Sequence, residues 1–483
     1  MKYVLGIDQS TQGTKAILFD ENGRLVERID CRHKQWIDEN GWVSHDMDEI
    51  YGNVIHAVRE VVLRTGIQKG DIAAVGISNQ RETTAAWHRD GTPIGMAVVW
   101  QCSRGKEITD ELTEYAREIK DRTGLPLSPY FPAAKMAWLI RHVIKEGGYL
   151  MGTMDSWLVY RLTGGRSFKT DYSNASRTQL FNLHNLRWDE DICSIFGVPV
   201  EVLPEVVDSN SVFGYTDFEG FLDSPVPIHC VLGDSHGALF GQGCHGTGMI
   251  KTTYGTGSSI MMNIGKEFKA STCGLATSLA WSIDGEVAYV LEGNINYTGA
   301  VITWLQDDLK MIVSIKEIEE AIEKAGDADT TVLVPAFSGL SAPYWNDRAK
   351  AVLYGMTRTT GRNEIIKAAV ESIAFQINDV LDAMEKDSGI IIRELRADGG
   401  ATRNKYLMQF QSDIGSIDVS IPAQEELSAI GVAYLAGISQ GIYQKEDVFA
   451  EGIRMHYRPS MSAADREKKY TLWREAIGLV SSV

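Results

Sequence analysis

The sequence predicts an α/β protein made of two domains. Three observations carry this. At 483 residues the chain is longer than one compact core, and roughly 100–200 residues per domain predicts two to four units. It opens on an apolar strand, a Gly/Thr-rich turn and a second apolar strand, VLGIDQSTQGTKAILFD. A similar unit, MIKTTYGTGSSIMMNIG, follows Gly248. Two such units roughly 240 residues apart suggest a duplicated architecture. The boundary between the halves is expected near Gly243–Thr247, giving domains of residues 1–245 and 246–483.

Taken in order, Tyr3–Ile7 reads as a buried strand, Asp8–Thr14 as a polar turn and Ala16–Phe19 as the next strand. Asp20-Glu21-Asn22-Gly23 then reverses the chain, because Asn-Gly supplies the positive φ angles of a hairpin turn. A helical pattern follows at Met47–Arg64 and a strand at Ile72–Ile77. From about Arg81 to Val226 helices and loops mix, with aromatic clusters at Trp87, Trp100, Tyr130, Phe131 and Trp138. In the second half, helices are expected at Arg362–Lys386 and Lys405–Ser412. Between them a strand spans Arg393–Gly400 and ends in a Gly pair.

Composition excludes several classes. Lys and Arg number 47 against 64 Asp and Glu, a net charge of −17. No basic excess exists to neutralise a phosphate backbone, so nucleic acid is not an expected partner. Cys31, Cys102, Cys193, Cys230, Cys244 and Cys273 include no Cys-x-x-Cys spacing. They read as free thiols of a reducing compartment rather than as a zinc or redox site. The apolar start, MKYVLGIDQS, is too short for a signal-peptide core. No apolar run approaches the ~20 residues of a membrane helix. A cytoplasmic enzyme without a membrane partner is expected, as a homodimer or homotetramer.

Three Gly-rich turns follow strands, at Asp8–Thr14, Tyr254–Ser258 and Asp398–Thr402. Glycine lets backbone N–H groups converge on phosphate oxygens. Any one of these turns is also what a structural hairpin looks like. None has the Walker or Rossmann spacing, so phosphate binding is expected by another route. Asp8 and Asp234 each end an apolar strand, where an open α/β sheet exposes its ligand crevice. One could hold magnesium and the other could accept a proton from an attacking hydroxyl. A capping acid at a strand-to-helix turn has the same spacing.

These residues carry a family resemblance. The chain resembles the FGGY carbohydrate kinases along nearly its whole length, and among them the glycerol kinase branch. The resemblance runs through Gly6–Thr11 (GIDQST), Gly41–Asp46 (GWVSHD), Ile77–Thr84 (ISNQRETT) and Val98–Gln101 (VVWQ). It continues in Thr123–Leu127 (TGLPL), Tyr130–Trp138 (YFPAAKMAW) and Thr170–Phe181 (TDYSNASRTQLF). Tyr254–Gly257 (YGTG), Pro343–Trp345 (PYW) and Asp398–Ala401 (DGGA) complete it.

The resemblance implies two actin-like (ribonuclease H-like) ATPase domains, with ATP and the acceptor meeting in the cleft between them. It implies that Asp234 is the general base and that Asp8 acts at a Mg2+ ion. Thr11 and Thr256 would contact ATP phosphates, with Gln12 and Lys15 on the first phosphate turn. Gly299, Gly400 and Asn404 would line the nucleotide site. Arg81, Glu82, Trp100 and Tyr130 would hold the acceptor beside Asp234 and Ser235. Phosphoryl transfer asks mainly for positioning and charge neutralisation, which such a set supplies.

The departures are informative. Where glycerol kinases usually place Gln after the base, this chain has Ser235, and Ser259 stands where they usually carry an aromatic residue. Both changes remove side-chain volume, which favours a four- or five-carbon polyol or ketose. Gln12 replaces a usual hydroxyl residue, and Lys15 replaces a usual Arg, keeping the charge but losing the planar fork. The loop Tyr215–Ser224 lacks the Gly-Gly-Arg character of a sugar-bisphosphate site. His229 and His236 read as packing or site-edge residues. A pentulose kinase of the xylulokinase or ribulokinase type is the alternative enzyme, although xylulokinases usually show Gln-Met-His at Gln80-Arg81-Glu82. A non-catalytic actin-fold ATPase would share the nucleotide turns but would have no use for Arg81-Glu82 or the Tyr130–Trp138 segment.

Overall fold

The computed structural model describes residues 1–326, 328–449, 452 and 455–481. Its first sheet is built around β1 (Tyr3–Gln9), β2 (Gly13–Phe19), β3 (Leu25–Arg32), β4 (Ile72–Asn79) and β5 (Val226–Gly233). They lie in the order β3-β2-β1-β4-β5, with a short edge strand, Gly214–Thr216, beyond β5. β1, β2 and β3 form an antiparallel meander, whereas β4 and β5 run parallel to β1. β1 is buried from Val4 to Gln9, as expected of a strand with helices on both faces.

The second sheet repeats this plan. It contains β6 (Ile250–Tyr254), β7 (Ser258–Gly265), β8 (Glu286–Ile295), β9 (Glu394–Asp398) and β10 (Asp418–Ile421). Their order is β8-β7-β6-β9-β10, again three antiparallel strands followed by two parallel ones, although here the edge strand Ala276–Ile283 comes between β7 and β8 in the chain and pairs with β8. The weak internal similarity of the two strand–turn–strand units therefore extends to ten strands. Strand ends run further than the apolar pattern suggests: β2 starts at Gly13 and β4 continues to Asn79, because sheet pairing recruits polar residues beside the turns.

Helix limits follow local chemistry. In α1 (Met47–Thr65) the Asp46 side chain accepts the N–H groups of Asp48 and Glu49, and Gly66 closes the helix in the left-handed region. Further helices are α2 (Asp234–Gly241), α3 (Arg362–Ser388), α4 (Lys405–Gly415) and α5 (Leu427–Ser439). α5 is apolar nearly all round and packs on α2 and against β1, β4 and β5. Its large side chains, such as Ile430 and Leu435, are buried, each worth roughly 1.5–3 kcal/mol. α5 approaches α2 so closely that a Cβ on Gly431 would lie 1.9 Å from the Gly237 carbonyl oxygen. A Gly431→Val change would break that crossing. Among the described residues no helix is long and apolar enough to cross a membrane.

Candidate active site

The parallel strands β1, β4 and β5 end side by side, and the residues at those ends form one edge. Register places Asp8 opposite Ser78 on β4 and opposite Lys15 on β2, while Gly233, immediately before Asp234, pairs with Asn79. The Ser78 hydroxyl donates to Asp8 Oδ1 at 3.0 Å, and Lys15 Nζ lies 3.5 Å from Asp8 Oδ2. Burial pushes the Asp8 carboxyl above its ordinary range; Lys15 opposes that, and Asp234 and Glu426 add to it. Lys15 also donates to Glu426 Oε2 at 2.5 Å, while the other Glu426 oxygen takes Arg28 at 2.5 Å. Burial pulls the Lys15 ammonium down, but Asp8 and Glu426 outweigh it and hold the group above its ordinary value.

Beyond β4 the chain turns sharply. Glu82 sits at φ 59°, a left-handed conformation that costs a non-glycine residue roughly 1–2 kcal/mol. That turn sends Arg81 and Glu82 into a buried ionic cluster. Arg81 Nη1 and Nη2 donate to the two oxygens of Glu292 at 2.9 and 2.8 Å, and Arg81 Nε lies 3.2 Å from Asp234 Oδ1. Arg177 Nε donates to Glu82 Oε1 at 2.6 Å, and its Nη1 lies 2.8 Å from Glu292 Oε2. Burial alone would raise the Glu292 carboxyl; Arg177 and Arg81 reverse this and hold it well below the usual range. Asp234 is the exposed end of the cluster, with 35% of its side chain accessible, against 0% for Glu292. It is also the first residue of α2, where its carboxylate accepts the Ser235 N–H at 2.6 Å. The N-cap is Gly233 and no side chain caps the helix, so Asp234 does not serve as the capping acid.

The aromatic residues close one side. Trp100 and Tyr130 stand 5.6 Å apart between ring centroids, and Trp100 Nε1–H donates to Thr11 Oγ1 at 2.9 Å. The aromatic pair is thus tied to the first Gly-rich turn. Buried Lys135 donates to the Tyr130 carbonyl oxygen. Ser235 and Ser259, which come from α2 and β7, face each other with their hydroxyl oxygens 3.3 Å apart. Ser259 Oγ also lies 3.4 Å from Glu292 Oε1.

The remaining predicted residues cluster at the ends of the second sheet. In the Thr256 turn the Gly255 carbonyl accepts the Gly299 N–H at 2.9 Å, and the Thr256 carbonyl accepts those of Thr298 and Ala300. Gly399 has φ 96°, and a Cβ there would meet the Tyr254 carbonyl oxygen at 2.4 Å, so the second and third turns interlock. Asp8, Lys15, Thr253, Asp398, Gly400 and Glu426 line one cavity of about 700 Å3. Both sheets therefore open onto it. Gln12 is exposed on its turn. Asn404 lies between the cavity residues Arg403 and Lys405, and its side chain caps α4 by accepting the Leu407 N–H at 3.0 Å.

Sequence reasoning missed Glu292, Arg177 and Lys251, whereas His236 reads from sequence as a packing or site-edge residue. A signal existed for two of them. Glu292 and Lys251 interrupt apolar strands at buried positions, where a charge requires a partner. Lys251 Nζ donates to Thr253 Oγ1 at 3.1 Å. His236 is fully buried beside Arg81; burial first, and then Arg81, keep its imidazole neutral. His229 contacts Gln440 at 3.0 Å, away from the site. All six cysteines are free thiols.

Residues 3–241 match the N-terminal domain of the FGGY family of carbohydrate kinases, and residues 250–440 match its C-terminal domain. Glycerol kinase 2 of Thermotoga maritima is 44% identical over 99% of this chain and 98% of its own length. Glycerol kinase 1 of the same organism is 46% identical over 98% and 99%. Among solved structures, Plasmodium falciparum glycerol kinase with ADP superposes with a TM-score of 0.93 at 34% identity, covering 99% of this chain and 98% of that one. A xylulose kinase from Lactobacillus acidophilus shares the fold, with a TM-score of 0.91 at 21% identity over 100% and 99% of the two chains.

Proposed function

The chain belongs to the FGGY family of carbohydrate kinases, and from that premise we propose how its gathered residues phosphorylate a small acceptor. The reaction is ATP-dependent transfer of a phosphoryl group to a hydroxyl of a small polyol or sugar, in the manner of the glycerol kinases it resembles. Glycerol kinase relatives at this identity favour it over the pentulose kinase alternative. The observation that carries the mechanism is Asp234: a carboxylate with solvent access at a strand end, beside Arg81 and on the same edge as Asp8.

In this reading Asp234 takes the proton of the attacking hydroxyl as its oxygen bonds to the γ-phosphorus and the bond to the ADP oxygen breaks. Arg81 and Glu82 pair the acceptor hydroxyls as donor and acceptor, while Trp100 and Tyr130 cover its C–H faces. Thr11, Gln12, Lys15 and Thr256 contact the phosphates, and Gly299, Gly400 and Asn404 border the nucleotide. Residues 1–245 then form the acceptor half and 246–483 the nucleotide half.

Asp8 fits a magnesium site. Magnesium is usually held by one or two carboxylates together with substrate phosphates, and Asp8 is a carboxylate on the cavity whose pKa burial raises first, with Asp234 and Glu426 adding to it against Lys15. When bound, the ion supplies charge neutralisation at the phosphate oxygens.

Ser235 and Ser259 support an acceptor larger than glycerol, because the two short side chains meet on one wall. A coupled ADP-release screen over glycerol, erythritol, threitol, pentitols and ketopentoses tests this. The expected result is highest kcat/KM on a four- or five-carbon acceptor. Preference for glycerol over all larger compounds would reduce the reading to a plain glycerol kinase. Light scattering on the purified protein tests the expected homodimer or homotetramer.

A further inference from the structure

We propose that Glu292 is a positioning residue: it holds Arg81 in its acceptor-binding pose and ties that pose to the second sheet. The proposal rests on the polyol kinase reading and deepens it. Arg81 has a rigid fork of donors, and Glu292 takes two of them, one on each terminal nitrogen. That leaves Nε in ion-pair range of Asp234 Oδ1 at 3.2 Å, without a hydrogen bond between them. A guanidinium gripped through both terminal nitrogens cannot rotate to fork Asp234 instead. Glu292 therefore does two things at once. It orients Arg81, and it keeps the Asp234 carboxylate from being consumed in a two-bond ion pair that would weaken it as a proton acceptor.

Burial makes the grip strong. Arg81, Arg177, Glu82 and Glu292 have side chains 6%, 2%, 2% and 0% exposed, and their formal charges cancel. Removing one member of such a set leaves an uncompensated buried charge. Glu292 is also the member that comes from the second sheet, on β8. Three residues past it β8 ends at Ile295, and the chain enters Thr298 and Gly299. There the Thr298 N–H donates to the Thr256 carbonyl at 3.0 Å, and the Thr298 and Ser258 hydroxyls bond at 2.7 Å. The strand that grips Arg81 thus continues directly into the turn assigned to phosphate. Displacement of that turn moves the acceptor arginine through paired strand.

The test is a double-mutant cycle on the full chain with Glu292→Asp, Arg81→Lys and the double variant, read as acceptor kcat/KM and as KM for ATP. Glu292→Asp keeps the charge but shortens its reach. It is expected to lower acceptor kcat/KM by about 10-fold or more, with KM for ATP within about two-fold of wild type. In the Arg81→Lys background the same change is expected to cost almost nothing further, because residues acting as a unit are strongly non-additive. Additive losses, or a parallel rise in KM for ATP, would overturn the role. Glu292→Gln is the second variant, expected to resemble Glu292→Asp in its kinetic split. Failure of both Glu292 variants to fold would mark the residue as a stability element and overturn it as well. A wild type without acceptor-dependent ADP release would instead sink the kinase reading on which the proposal stands.

Discussion

Arg81 Nε lies 3.2 Å from Asp234 Oδ1. The two residues follow adjacent parallel strands, β4 and β5, so their meeting is set by sheet register rather than by proximity in the chain. Arg81 thus sets its cation beside the carboxylate proposed as the base. The same cation remains bound on its other side to Glu292.

Replacing Asp234 by Asn keeps its size and removes the proton acceptor. Turnover is expected to fall by about 10²–10⁴-fold, the range for loss of general-base help. ATP affinity, measured by calorimetry, is expected to change little. Near-normal turnover at saturating acceptor would show that another group takes the proton.

Asp8→Ala removes the buried carboxylate that lines the cavity proposed for phosphate and faces Lys15 and Ser78. Activity is expected to be lost and not restored by raising magnesium, since a hard cation needs oxygen ligands there. The check is a magnesium titration of ADP release. A variant that stays active with an unchanged magnesium requirement would contradict the assignment.

The double change Ser235→Gln with Ser259→Phe refills the wall where the two hydroxyls meet at 3.3 Å. A methylene in a pocket is worth about 1–3 kcal/mol, or roughly 10–200-fold in kcat/KM. The ratio of glycerol to four- or five-carbon acceptors is expected to move toward glycerol by that order. An unchanged ratio across the acceptor panel would remove these serines from the specificity argument.

Lys135 gives a pH-dependent stability. The fully buried ammonium donates to the Tyr130 carbonyl, and burial lowers its pKa from 10.5 to about 7. Between those values the unfolded chain keeps a proton that the folded chain has lost, so this group makes stability rise with pH across the window. Below about pH 7 the full penalty of a buried charge applies. Lys135→Met removes the penalty, so its Tm relative to wild type is expected to be higher by several degrees at about pH 6 than at about pH 9.5. Equal differences at the two pH values would mean that Lys135 is not titrating in this range.

By itself the sequence determined the elements and the chemistry at their ends. Apolar runs mark β1 and β5, Gly-rich turns mark the tips of β1 and β6, and Asp8 and Asp234 stand where the apolar runs stop. These are local signals, written in neighbouring residues and readable from periodicity and turn chemistry. Tertiary structure alone decided which charges meet. Glu292 grips Arg81 across 211 residues, and Glu426 reaches Lys15 across 411. No periodicity encodes either pair. Each exists because the fold brings residues at the strand ends of both sheets together and lays α5 against the first sheet, which brings distant carboxylates to cations that burial would otherwise leave uncompensated.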